Sequence, residues 1–96
     1  MKYKMDQLIN RSYSAIKGRG LITEDTIESD FFLKMKEELK EIADSYGNEK
    51  HYVEECIDLA TVCFMQVLHL GYNPIKEFEK VVLKNEKRAI NHKKYK

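Results

Sequence analysis

Glu37-Glu38-Leu39-Lys40-Glu41, then Gly47-Asn48, then Glu55-Cys56-Ile57-Asp58: in this order the middle of the chain sets two acidic clusters on either side of one turn. Residues three or four apart on an α-helix share a face. Glu38 and Glu41 are therefore neighbours, as are Glu37 and Glu41, Glu55 and Asp58, and Glu54 and Asp58. Before the turn, Phe31, Met35, Leu39, Ile42 and Tyr46 form an apolar stripe at helical spacing. After it, Val53, Ile57 and Ala60 face one way and Glu54, Glu55 and Asp58 the other. The pattern predicts an antiparallel helical hairpin closed at Gly47-Asn48. Glu41 stands six residues before Gly47 and Glu55 seven after Asn48, so the carboxylates are expected to meet at about one level.

Working outward, a first helix is predicted over roughly residues 3–16, with Met5, Leu8, Ile9, Tyr13 and Ile16 on one face. Lys17-Gly18-Arg19-Gly20 ends it. The second helix begins near Thr23 or Thr26, either of which can cap it. The third runs from about residue 49 to 70 and is apolar nearly all round from Leu59 onward. A helix apolar on every side must be covered on every side, and three other helices of one short chain cover it poorly. That predicts a subunit interface, most simply a two-fold dimer. Asn73 can cap the fourth helix and Pro74 suits its first position. This helix runs to about Ala89 or beyond, with Ile75, Phe78, Val81, Val82 and Ile90 inward. Residues 91–96 read as a frayed basic tail. No segment alternates with period two for long enough to be a strand.

Ninety-six residues are expected to form a single all-α domain over 1–96. The longest nearly uncharged run, residues 59–73, is shorter than the roughly 20 residues of a membrane span. Met1 to Asp6 has no apolar signal core behind its charges, so a cytoplasmic location is expected. Cys56 and Cys63 lie on one predicted helix, roughly 10 Å apart along its axis, too far for a mutual disulfide; both read as buried free thiols. Net charge is +1 overall but uneven: +4 over residues 1–20, −8 over 21–60 and +5 over 61–96. An acidic middle between basic ends suits a metal site next to an anion site, and equally suits a solvated surface.

Four or five carboxylates crowded together repel one another unless a cation neutralises them. Oxygen ligands select Mg²⁺, Mn²⁺ or Ca²⁺ over zinc or copper. Mg²⁺ commonly shares its ligands with substrate phosphates, which makes a phosphate ester or anhydride the natural substrate class. The first cluster alone reads as a solvated helix face with ion pairs to Lys34, Lys36 and Lys40, and a Glu-x-x-Asp on a helix is just as common; the combination across one turn is what points to a site. On the fourth helix Lys84 and Arg88 share a face, with Asn85 beside them, and the pair suits an anionic polyphosphate. Lys17 and Arg19 are further candidates for the same task.

Glu37-Glu38-x-x-Glu41, then thirteen residues, then Glu55-x-x-Asp58, resembles the signature of the MazG-type all-α nucleotide pyrophosphohydrolases. His69-Leu70-Gly71-Tyr72-Asn73-Pro74 and Lys84-Asn85-Glu86-Lys87-Arg88 are similar to that family's helix break and last-helix phosphate-binding segment. The resemblance covers about residues 31–88. It implies a four-helix MazG-like bundle completed by dimerisation, or as a dimer of dimers. It also implies Mg²⁺-dependent hydrolysis of a nucleoside triphosphate to the monophosphate and pyrophosphate, with Mn²⁺ as a possible substitute. On this sequence Glu38, Glu41, Glu55 and Asp58 would be metal ligands. Glu37 would be a ligand or orient the attacking water, giving Glu37, Glu38 and Glu41 as the catalytic set. Lys84, Asn85 and Arg88 would contact phosphates. The chain has no Trp, so Tyr3, Tyr13, Phe31 and Phe32 are the candidates for stacking on a base.

Two other readings compete. A di-iron carboxylate bundle would need a Glu-x-x-His on a helix, and neither cluster supplies one. A non-catalytic helical dimerisation or interaction protein would use the apolar third helix and the basic tail. That tail lacks the interleaved aromatics or the recognition helix of a nucleic-acid partner.

Overall fold

A computed structural model describes residues 4–94, which form four α-helices and no strand. They are α1 (Met5–Gly18), α2 (Glu28–Asp44), α3 (Glu49–His69) and α4 (Pro74–Lys94). Each break has a local cause. Gly20, Gly47 and Gly71 all take positive φ, which lets the chain turn directly after a helix. Asn48 caps α3 by accepting from the His51 N–H at 3.2 Å. Asn73 caps α4 by accepting from Ile75 and Lys76, with Pro74 at the first helical position as expected.

Some boundaries differ from the sequence reading. The expected start of α1 at Tyr3 lies outside the described residues, and α1 begins at Met5. α2 begins at Glu28, after both Thr candidates. Thr23 and Thr26 instead bond each other: the Thr26 hydroxyl accepts from the Thr23 N–H at 2.9 Å, building a turn. The start of α2 is held by Asp30, whose carboxylate accepts from the Ile27 N–H at 2.9 Å. At the other end α4 stays helical to Lys94 rather than fraying from residue 91, because nothing after Pro74 is a Gly or Pro. Tyr95 and Lys96 lie outside the described residues.

α3 is the axis of the packing. α2 packs against α3 alone, while α1 and α4 pack against α3 and each other. The core is small: Ile9, Ile22, Phe31 and Met65, with Tyr13, Ile16, Met35, Val62 and Leu68 around them. Met65 is 2% exposed. His69 stitches three elements at one end. Its Nε2 lies 2.8 Å from the Thr26 carbonyl and its Nδ1 3.3 Å from the Tyr13 hydroxyl. A carbonyl only accepts, so in the neutral ring Nε2 carries the proton and Tyr13 donates to Nδ1. The ring also packs at 5.4 Å against Phe31.

Three expected inward faces are not inward in the chain. On α2, Leu39 is 59% and Tyr46 88% exposed; the face toward α3 is Phe31, Met35, Glu38, Ile42 and Ser45. On α3, Val53 and Ile57 are exposed, whereas Glu55 is buried. The hairpin has therefore closed on the acidic edge of both helices. On α4 burial among the described residues ends at Glu77, leaving Phe78, Val81, Val82 and Ile90 exposed. Cys63 is likewise exposed rather than buried, and Cys56 half-buried. Among the described residues no helix is long and apolar enough to cross a membrane.

Candidate metal centre

Glu38 comes from the buried face of α2, one turn after Met35 and four residues before Ile42. Glu55 and Asp58 come from the stripe of α3 that continues through Val62 and Met65. The hairpin brings these three carboxylates together, with one oxygen of each within 4.8 Å of the others. Glu38 is 6% and Glu55 8% exposed, while Asp58 faces the opening. Oε2 of Glu38 and Oε2 of Glu55 are buried and have no hydrogen-bond partner. Burying a carboxylate without a partner costs several kcal/mol, on the order given by ion desolvation. Two such buried carboxylates converging with Asp58 fit a bound cation, and the all-oxygen donor set fits a hard divalent ion.

The remaining oxygens have partners at the rim. Lys34 Nζ lies 3.2 Å from Glu38 Oε1 and 3.3 Å from Glu37 Oε2. Burial pulls the Lys34 ammonium down, but the Glu38 and Glu37 carboxylates outweigh it and hold its pKa above the ordinary 10.5. His51 Nε2 approaches Glu55 Oε1 at 3.4 Å. Lys34 and His51 each sit four residues before their carboxylate, so helical spacing contained the signal for both partners.

A groove of about 580 Å³ opens beside the trio. Glu37, Glu38 and Asp58 line one part of it, and Ile16, Leu21, Ile22, Leu33, Val62 and Met65 form apolar wall. Arg19 and Lys34 also line it.

The other residues singled out in the sequence are distributed as follows. Glu37 is exposed at the groove and held by Lys34. Glu41 is exposed and is not one of the three converging carboxylates; Glu38, not Glu41, meets Glu55. The reason is rotational: Glu38 lies in the stripe facing α3 and Glu41 flanks it. Glu54 is exposed. Lys84, Asn85 and Arg88 are exposed on α4, which does not pack against α2, and none of them lines the groove. Of the aromatic candidates among the described residues Phe31 alone lines the groove, and it is buried against His69. Phe32 is exposed under Lys36, Tyr13 is engaged by His69, and Tyr3 lies outside the described residues. No protein-family model, no curated protein and no solved structure matches the chain.

Proposed function

We propose that this chain is a Mg²⁺-dependent, MazG-like nucleoside triphosphate pyrophosphohydrolase. The observation that carries the reading is the pair of buried, unpartnered oxygens on Glu38 and Glu55, converging with Asp58 at the mouth of a groove. Glu38, Glu55 and Asp58 would hold the ion, and Glu41, one turn along α2, would join them by a change of side-chain rotamer. Bound there, Mg²⁺ would neutralise the triphosphate and make water a better nucleophile. Glu37, exposed at the groove rim, would orient that water toward the α-phosphorus. The water oxygen would bond to the α-phosphorus and lose its proton to solvent, the bond to the bridging oxygen would break, and pyrophosphate would leave with the nucleoside monophosphate remaining. The apolar wall would receive base and sugar, as apolar groove surface does for most small ligands.

We further infer that the working form is a homodimer or a dimer of dimers. The radius of gyration is 16.0 Å, against about 12.5 Å for a compact domain of this length. Exposed Val53 and Ile57 on α3, and Phe78, Val81 and Val82 on α4, are the surface that a second copy would cover. A partner's α4 is also the route by which Lys84, Asn85 and Arg88 would reach a site. Release of pyrophosphate from a panel of canonical and modified triphosphates, with Mg²⁺ and with EDTA, tests the reading. Absence of release from every member of the panel would sink it. The non-catalytic alternative, a helical dimerisation protein, expects Mg²⁺ to have no effect at all.

A further inference from the structure

We propose that Arg19 and Lys34 form the polyphosphate grip of this site, holding the pyrophosphate end of the substrate beside Glu38 and Asp58. This rests on the pyrophosphohydrolase reading and names the cations that reading needs within one protomer. Arg19 and Lys34 line the same groove as Glu37, Glu38 and Asp58, whereas Lys84 and Arg88 do not. They come from different elements, the C-terminal end of α1 and the first half of α2.

Arg19 stands on a well-held backbone. Its N–H closes α1 on the carbonyls of Ala15 and Ile16, both at 3.2 Å. Gly20 then turns the chain at φ 76°, and Ile22, 6% exposed, anchors the connection in the core. Among the described residues the Arg19 guanidinium has no partner, although four carboxylates, Asp30, Glu37, Glu38 and Asp58, share its groove. A planar guanidinium donates in parallel to two oxygens of one phosphate. Lys34 brings a point charge with three N–H donors. Glu37 and Glu38 take two of them, leaving a third. Neither residue makes or breaks a bond; both act on binding, and on the charge of the leaving group.

Calorimetric titration of the full chain with imidodiphosphate and Mg²⁺ is the direct test, run beside KM and kcat for one hydrolysed triphosphate. Arg19→Ala and Lys34→Met should each weaken imidodiphosphate binding about tenfold, the loss of one charge-assisted contact. KM should rise more than kcat falls, and Lys34→Arg should restore binding. Wild-type affinity in Arg19→Ala overturns the proposal, and Arg19, being exposed, decides the matter even if Lys34→Met does not fold. If wild type binds imidodiphosphate but hydrolyses no triphosphate, the grip stands and the hydrolase reading falls. If wild type does not bind it, the grip falls whatever the activity.

Discussion

Glu38 and Glu55 come from different helices, are both buried, and each keep one carboxylate oxygen without a hydrogen-bond partner. Two like charges in that position oppose the packing of α2 on α3, which is the main helix pair of the protomer. Lys34 offsets charge only from the rim, and Lys34 and His51 each approach only the other oxygen of their carboxylate.

The first prediction is that divalent ions stabilise the fold through this pair. Mg²⁺ or Mn²⁺ at a hundredfold excess over its Kd should add about 2.7 kcal/mol to the unfolding free energy. Glu38→Gln should lose that gain, and in EDTA it should melt higher than wild type, since one of two crowded charges is gone. Thermal melts of both proteins in both conditions provide the check. A metal response retained in Glu38→Gln counts against the ligand set.

Asp58 is the exposed member of the trio, so its replacement separates chemistry from folding. Asp58→Asn should abolish pyrophosphate release while leaving the circular dichroism spectrum and the metal-free melting midpoint unchanged. Wild-type-like turnover in this variant removes Asp58 from the site.

Lys34 gives a pH signature. Its pKa is raised in the folded protein, so the folded state holds the proton more tightly than the unfolded chain. The resulting stability is fully present below the unfolded value near 10.5 and disappears as pH rises through the folded value. The ammonium is half exposed, so its contribution stays under about 1 kcal/mol. Urea unfolding of wild type and Lys34→Met should show a small gap at pH 8 that closes as the pH rises past the ordinary lysine value of 10.5. A gap that widens with pH contradicts the assignment.

The uncovered apolar faces predict assembly. Ile57 is 62% exposed on α3 in the protomer. Sedimentation or light scattering should give at least about twice the 11.4 kDa protomer mass. Ile57→Asp should lower that mass or destabilise the assembly. A wild-type protein that is monomeric at micromolar concentration would contradict this.

Core truncation should rank residues by burial rather than by their place in the sequence stripe. Met65→Ala should cost about 3 kcal/mol by chemical denaturation, because its side chain is enclosed. Tyr46→Ala should change the monomer's stability by less than about 0.5 kcal/mol. Equal costs for the two would mean that Tyr46 is covered, as it could be in a dimer.

Much of this protein is written in short-range spacing. The helix count, the breaks at Gly20, Gly47 and Gly71, the caps at Asn48 and Asn73, and the pairing of the two acidic clusters across one turn are all legible from residues a few positions apart. Local sterics and hydrogen bonding decide such features. Even the rim contacts of Lys34 and His51 follow from four-residue steps on one helix. What the sequence could not decide was rotation. Leu39 and Tyr46 continue the α2 stripe on paper, yet Glu38 and Ser45 take the buried positions. Val53 and Ile57 look like core, yet Glu55 is inside. A helix carries its side chains around a full circle, and which arc is buried depends on every partner packed against it. In this protomer α2 has only α3 to pack against, so apolar side chains on its other arcs stay exposed and the carboxylates are drawn inward. Tertiary packing alone selected Glu38 over Glu41 to meet Glu55 and Asp58, and put Arg19 in their groove while leaving Lys84 and Arg88 on an outer helix.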